Sequence, residues 1–395
     1  MHIPPETQRF IREHQQDNVL QLALQAGKHP GVDMPFALQQ IAGRQLAAAK
    51  IPSWHACEDI LYPPHLSLEQ CSSEATARYK ASLVQGDTLA DLTGGFGVDC
   101  AFMAQRFTQA TYIEEQTHLC GLAHHNFHAL GLRHITVVNG NGIDYLKQMP
   151  HADCIFIDPS RRDTHGRKTV AISDCRPDLE AILPLLHGKA SVTLAKLSPM
   201  LDVSQVLSRL SPVSDIHILA VNNECKELLA LLRPPGWQAA TRIHAVHIEK
   251  EEPPGIFSFT REEEQDADCP YAEEVRRFVY EPNAALLKAG AYKCVAQRYG
   301  LEKLHPNSHL YTGNNLRKDF PGRAFICMAQ LPFKGKELKA QLRDLSQANI
   351  SVRNFPLSVD EIRKKTRLKE GGATYLLATT LRDERKVLLR CEKAQ

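Results

Sequence analysis

Asp91-Leu92-Thr93-Gly94-Gly95-Phe96-Gly97-Val98-Asp99 follows the strand-like run Thr88-Leu89-Ala90 and precedes the helix-like Cys100-Ala101-Phe102-Met103. A glycine-rich turn between strand and helix lets the backbone approach a ligand closely where the chain needs special dihedrals. Gly94, Gly95 and Gly97 supply that approach, although three glycines alone can also serve a tight crossover. The context downstream favours a ligand. Glu114 stands 23 positions after Asp91, at the end of the strand-like TYIE, where an acid can accept both hydroxyls of a ribose. The turn lacks GxGxxG spacing and shows no helix N-terminus obviously free for a pyrophosphate, so a nucleoside without phosphate fits better than a dinucleotide. Asn141, in GNGIDYL, follows the third strand-like run, and Asp144 lies three residues on. The Asn141 amide can bond an adenine amino edge, or either side chain can cap the next helix.

Outward from the turn, TLADL, TYIE, ITVV, CIFID, SVTLAKL and IHILAV alternate with helical stretches, which predicts a mostly parallel sheet with crossover helices. IHILAV and RIHAVHIE lie closer together, with Pro234, Pro235 and Gly236 between them, so one strand of that pair is expected to be antiparallel. Before the turn, Phe10, Ile11, Val19, Leu20 and Leu24 recur at helical spacing. After the break at Gly27, Asp33 and Pro35 suit the start of a second helix. Ser67, Gln70, Ser72 and Ser73 offer N-cap chemistry for a helix through Tyr79 and Lys80. Beyond IHILAV, EEPPG and REEEQDADCP are acidic and poorly periodic, and the second reads as a linker. FVYEPNAALLKAGAY through HLYTG then suggests a short α/β segment. At the end, AFICMAQL, ISVRNFP, ATYLLATTL and KVLLRC read as strands, KELKAQLRDL as a helix, and Ser358 with Glu361 as a capping box before IRKKTRL.

The 395 residues exceed what one core usually holds. No apolar run approaches the roughly 18 residues of a membrane span, and the polar N-terminus does not resemble a signal peptide, so a cytoplasmic protein without membrane contact is expected. Eleven cysteines occur singly, without CxxC spacing, and read as reduced thiols. The net charge of +2 hides an excess at one end: residues 331–395 hold 15 Lys or Arg against 8 Asp or Glu. A polyanion would bind there.

Taken together, these residues resemble the class I S-adenosylmethionine-dependent methyltransferases over about residues 68–262. The resemblance implies a Rossmann-like core with a mostly parallel seven-stranded sheet, and S-adenosyl-L-methionine held by Asp91, Thr93, Gly94, Gly95, Gly97, Glu114, Asn141 and Asp158. Asn141 stands where an aspartate is more usual. SLEQCSSEATARYKASLV resembles the helix that precedes the cofactor strand in guanine-N2 RNA methyltransferases, and it reads equally as an ordinary capped helix. IFIDPSRRD sits where amino-directed methyltransferases carry an Asp/Asn-Pro-Pro-aromatic motif. Asp158, Pro159, Ser160 and Arg161 are thus the candidate catalytic residues, with Asp158 accepting an amine proton, but the aromatic is missing. Arg161 and Arg162 read equally as a phosphate clamp or a surface pair. Lys196, Ser198 and Asp202 follow the fifth strand and either line the mouth of the site or cap loops. DPSRRD, AKLSPMLD, NNECKE and the C-terminal arrangement resemble a bacterial methyltransferase family that ends in a THUMP-like domain, which implies RNA as the partner.

Two constellations are set aside. His124 and His128 have i, i+4 spacing, but HHNFH lacks a partner acid, and no metal is expected. Cys225, beside Lys226, reads as structural rather than as a nucleophile. IRKKTRLK reads as a phosphate-facing helix or as a solvated one. The expected layout is a helical module over 1–66, a methyltransferase domain over 67–264, a small connecting α/β (ferredoxin-like) domain over 270–323 and a basic THUMP-like domain over 324–395. The function expected is methyl transfer to RNA, at a base amine. The rivals are a methyltransferase of proteins or small molecules, and a non-catalytic RNA-binding protein that retains the fold.

Overall fold

In the computed structural model, which describes residues 3–160, 172, 175–249, 252–333, 338 and 340–394, the apolar runs after Gly86 become strands, the central ones buried on both faces. These are β1 (Gly86–Asp91), β2 (Phe107–Glu114), β3 (Ile135–Asn139), β4 (Ala152–Ile157) and β5 (Ala190–Leu197). All pair in parallel, in the order β3-β2-β1-β4-β5. The reversal of order beside β1 opens a crevice at the carboxyl ends of the strands, where such sheets bind ligands. The sheet continues through β7 (Glu224–Leu232), β6 (Val213–Val221), β8 (Arg242–Ile248) and β9 (Gly255–Thr260), giving nine strands rather than the seven expected.

The antiparallel strand is not where the sequence suggested. RIHAVHI, as β8, runs parallel to β6, and ECKELLALL, as β7, runs antiparallel to β5. Its polar first half hides the strand from a periodicity reading, while Leu228–Leu232 fill the buried half. REEEQD is likewise not a linker. It is a helix, Arg261–Asp266, with a complete capping box between Thr260 and Glu263.

The chain divides into two compact units, residues 1–214 with 228–239 and residues 215–227 with 240–395. In the first, helices α1 (Pro5–Glu13), α2 (Val19–Leu24) and α3 (Met34–Lys50) pack through Phe10, Leu22, Met34, Ala37 and Ile41. Asp33 caps α3 by accepting the Phe36 amide, and Pro35 sits in its first turn, as the sequence indicates. After α4 (Pro52–His55), buried Asn126 clasps the backbone of Leu61 through both its amide atoms. Helices α5 (His65–Gln70) and α6 (Glu74–Ser82) lead into β1, with Ser73 capping α6. The crossovers are α7 (Val98–Ala104), α8 (Thr117–Ala129), α9 (Gly142–Gln148) and α10 (Leu179–Lys189), and α11 (Val203–Arg209) follows β5.

In the second unit, β10 (Phe278–Pro282), β11 (Glu302–Lys303), β12 (Tyr311–Gly313), β13 (Gly322–Pro332), β14 (Asn349–Arg353), β15 (Thr374–Thr380) and β16 (Lys386–Lys393) form one sheet in the order β11-β12-β10-β13-β16-β15-β14. The capping box of Ser358 and Glu361 starts the helix Val359–Thr366 as expected. Leu338 and Leu342 are buried and Leu345 partly so. Among the described residues, no helix is long and apolar enough to cross a membrane.

Candidate active site

The glycine turn and the first four parallel strand ends converge as the motif predicts. Gly95 and Gly97 have φ of 56° and 86°, backbone that side chains rarely adopt. Gly94 is constrained differently: a Cβ there would lie 2.2 Å from the ring of Tyr112, which is fully buried beneath the turn. A Cβ on Gly95 would meet only the Thr93 carbonyl, at 3.8 Å, so this glycine borders open space. The Tyr112 hydroxyl donates to the Gly95 carbonyl at 2.5 Å. Tyr112 gives no sequence signal beyond being an aromatic in a strand.

Glu114 ends β2 with its carboxylate fixed from two sides. The Gly95 amide donates to Oε2 at 2.9 Å, and the Gln116 amide to Oε1 at 2.9 Å. Asp91 is buried at the end of β1, where its Oδ1 accepts the Thr93 amide at 3.0 Å. Burial, reinforced by the nearby Asp99, Asp158 and Glu114 charges, pushes its carboxyl well above the ordinary range despite that amide. Thr93 also reaches the fourth strand: its Oγ1 accepts the Asp158 amide at 2.7 Å, tying the turn to the DPS segment.

Asn141 is the N-cap of α9. Its Oδ1 accepts the amides of Ile143 and Asp144 at 2.9 and 3.0 Å, and its Nδ2 donates to Glu115. The capping alternative is therefore present, and Asp144 lies in the first turn, paired with Lys147. Gly142, which sequence reasoning passed over, packs so tightly that a Cβ would lie 2.1 Å from the Leu92 carbonyl oxygen. This close approach brings the start of α9 against the glycine turn.

At the ends of β4 and β5 the structure assembles a chain of alternating charges. Lys80 of α6, fully buried, lies 3.1 Å from Asp99 Oδ1, and its Nζ donates to Ser72 Oγ at 2.9 Å. Ser72 Oγ in turn donates to Asp99 Oδ2 at 2.7 Å. Lys196 lies 3.5 Å from Asp99 Oδ2 and donates to Asp158 Oδ2 at 2.7 Å. Exposure rises along the chain, from 0% for the Lys80 side chain to 37% for that of Asp158. Burial alone would raise the Asp99 carboxyl, but Lys80 and Lys196, with the Ser72 hydroxyl, outweigh it and hold the group below its ordinary value. Of the three residues expected after the fifth strand, Lys196 lies within β5 and joins this chain, whereas Ser198 accepts the Met200 amide and Asp202 caps α11.

Pro159 is buried, and the Ser160 backbone pairs with that of Arg176. Arg161 and Arg162 lie outside the described residues. Near the set-aside His124 and His128, His125 bonds the Asp59 carbonyl and His134 that of Ala104. The Cys225 Sγ donates to the Ala284 carbonyl, and burial raises its thiol, against a nucleophilic role. Within the second unit, Asp215, His217 and His244 bring their donor atoms within 4.8 Å of one another, a cluster the sequence reading missed because β6 and β8 are distant in the chain. Burial and the stacked His244 ring pull His217 down to about 3. The same unit has a cavity of about 600 Å³ lined in part by Arg317, Lys318, Arg323 and Lys393. Buried Glu281 beside it is paired with both Arg323 and Arg353.

Residues 278–321 match a family model described as a ferredoxin-like domain, and residues 322–393 one described as THUMP domain-like. A Mycobacterium tuberculosis protein described as an uncharacterized S-adenosylmethionine-dependent methyltransferase is 26% identical over 318 residues, which cover 80% of this chain and 83% of that one. A solved structure titled "Crystal structure of putative methyltransferase from Porphyromonas gingivalis W83" shares 36% identity and a TM-score of 0.87, covering 98% of each chain.

Proposed function

Because the chain belongs to a family of S-adenosylmethionine-dependent methyltransferases with a C-terminal THUMP-like domain, we propose that it methylates RNA, holding the cofactor in the crevice beside β1. The observation that carries the cofactor reading is Glu114: its carboxylate is held by two backbone amides beside the open space at Gly95. A carboxylate so fixed can accept both ribose hydroxyls once the Gln116 side-chain amide, which donates to Oε1 at 3.2 Å, gives way. The residues fit an adenosyl group. Asp91, Thr93, Gly94, Gly95 and Gly97 form the turn along which it would lie, and Glu114 would take the ribose. Asn141, at the start of α9, would meet the adenine edge by exchanging its bond to Glu115.

Bound S-adenosylmethionine supplies a methyl group on a sulfonium, which needs little covalent help to react. The protein's task is then to align the acceptor, exclude water and take up the acceptor's proton. Asp158 and Pro159 border the site, and Asp158, whose Oδ2 is paired with Lys196, would receive that proton. RNA is supported by the THUMP-like domain and by the 15 basic against 8 acidic residues in 331–395. Arg317, Lys318 and Lys393 on the cavity of the second unit add cationic groups for a phosphate backbone, against Glu249 and Glu252 on the same lining.

Calorimetric titration with S-adenosylmethionine tests the cofactor site. The expected result is micromolar binding by the wild type that is abolished in Gly95→Arg, which fills the open space, and weakened in Glu114→Ala. No binding by the wild type refutes the methyltransferase reading. Binding without methyl transfer to any RNA refutes the substrate reading.

A further inference from the structure

Asp215, His217 and His244 form a cluster that methyl transfer does not use, and all three lie in the second unit. Asp215 and His217 are two positions apart on β6, so their side chains leave the same face of the sheet. His217 is in register with His244 on the parallel neighbour β8, and His244 with Ser258 on β9. Four polar side chains therefore stand on one face of three strands. The two imidazoles stack at 4.3 Å, and one donor atom from each of Asp215, His217 and His244 lies within 4.8 Å of the others.

Two details distinguish this cluster from an ordinary buried histidine. The first is that His244 is held from behind: its Nδ1 meets Ser258 Oγ at 2.7 Å while its Nε2 faces Asp215 Oδ1 at 3.1 Å. Imidazoles that ligate metals are oriented in this way, through an outer partner on the second ring nitrogen. A serine hydroxyl suits the task. It donates to Nδ1 when Nε2 carries a proton and accepts from Nδ1 when Nε2 carries an ion. The second detail is burial. His217 is enclosed by strands that also bury Ile216, Ile218, Ile243 and Val246, whereas the side chains of His244 and Asp215 remain 15% and 26% exposed. Buried polar groups are costly unless satisfied, and one ion satisfies three at once. The partial opening admits that ion and leaves room for a water.

We propose that Asp215, His217 and His244 form a site for a divalent transition-metal ion such as zinc. Imidazoles with a carboxylate are the donor set of three-ligand zinc sites, in which water takes the fourth position. Donors about 2.0–2.1 Å from a tetrahedral ion stand roughly 3.4 Å apart. Asp215 and His244 are already that close, so the His217 ring makes the adjustment. As the ion binds, the Nε2 proton of His244 leaves to water and Nδ1 takes one up, donating it to Ser258. The ring stays neutral and the Asp215 carboxylate turns to the metal. The bound ion joins β6 to β8. Residues 215–227 enter the second unit as a separate length of chain, and the site ties that length to the rest, so metal binding adds to the stability of the unit.

The experiment titrates the full chain, stripped with a chelator, with Zn²⁺ alone by calorimetry. One equivalent is expected to bind, and the wild-type melting temperature should rise with zinc concentration. Asp215→Asn and His244→Gln should each weaken that equivalent by about 100-fold or more and abolish the thermal shift, and Ser258→Ala should weaken it by about 10-fold. Asp215→Asn preserves the shape of a part-exposed side chain, which keeps the test decisive if a histidine variant folds poorly. His124→Gln with His128→Gln removes an exposed pair at i, i+4 spacing that can gather zinc by itself, and this control should bind like the wild type. Cobalt(II) gives a second readout: visible ligand-field bands that respond to the wild-type site and not to Asp215→Asn. No binding by the wild type overturns the proposal. So does an equivalent that Asp215→Asn and His244→Gln hold undiminished, or one that disappears with His124 and His128.

Discussion

Replacing Lys80 by Met removes an ammonium that has no access to solvent and leaves Asp99 as a buried carboxylate with one cation fewer. Breaking a buried pair by removing one partner typically costs about 3–5 kcal/mol, because the remaining charge is stranded. Here Asp99 keeps Lys196 at 3.5 Å and the Ser72 hydroxyl at 2.7 Å, which places the loss at the lower end, about 3 kcal/mol. For a unit of this size that corresponds to a fall in melting temperature of roughly 6–12 °C. The pair should behave as a couple. Asp99→Asn alone strands Lys80, whereas the double variant Lys80→Met/Asp99→Asn removes both charges and should lose less than the sum of the singles by at least ~1 kcal/mol. Because the Asp99 carboxyl is held below its ordinary value, its contribution is complete above the unfolded pKa near 4 and fades as pH falls through the folded one. The Lys80→Met penalty should therefore shrink in acid. Urea unfolding of the four proteins at pH 7 and pH 4 measures all of this. Single-variant losses that add to within ~0.5 kcal/mol would refute the coupling.

Gly142→Ala puts a methyl group against the Leu92 carbonyl and should destabilise by about 1–3 kcal/mol while weakening S-adenosylmethionine binding, since the glycine turn must shift. Gly140→Ala, with nothing within 4 Å of the new Cβ, is the matched control, and equal effects in the two would sink the argument. In the metal-free protein His217, stacked on the His244 ring and pulled down to about 3, stays neutral in the folded chain while the unfolded chain takes up a proton below about 6.5. It should cost about 2 kcal/mol of stability between pH 7.5 and pH 5, read as a shift in urea midpoint that His217→Gln lacks. Identical shifts in both proteins would show that other groups dominate. Lys318→Gln together with Lys393→Gln should weaken RNA binding at the cavity of the second unit and flatten the slope of log affinity against log salt by about 1.4. An unchanged slope would place the phosphates elsewhere.

What the sequence disclosed was mostly local. The glycine turn, the acid at the end of the second strand and the caps of Asp33, Ser73 and Ser358 each depend on residues a few positions apart, so their chemistry can be read without a fold. Strand β7 escaped because its first half, Glu224 to Glu227, is charged, and burial begins only at Glu227. The acidic helix at Arg261–Asp266 looked unstructured because its stabilising bonds are made by the capping residues themselves. Glu264 of that helix also accepts the amides of Tyr292, Lys293 and Cys294, a pairing no local pattern announces. The Lys80, Asp99, Lys196 and Asp158 chain shows the limit most clearly. Asp158 was singled out from its motif and Lys196 only as a residue lining the site, while Lys80 looked like an ordinary helix lysine until the fold brought four distant segments together.

The sheet of the second unit sets a limit on how this chain can be cut. The ferredoxin-like match ends at residue 321 and the THUMP-like match begins at 322, yet β10 and β13, on either side of that junction, pair antiparallel from Phe278↔Ile326 to Pro282↔Gly322. A fragment beginning at Gly322 would present the bare edge of an eleven-residue strand to other copies of itself, the usual route to intermolecular strand exchange. In expression work or gene fusion, the two matched segments therefore have to travel as one module.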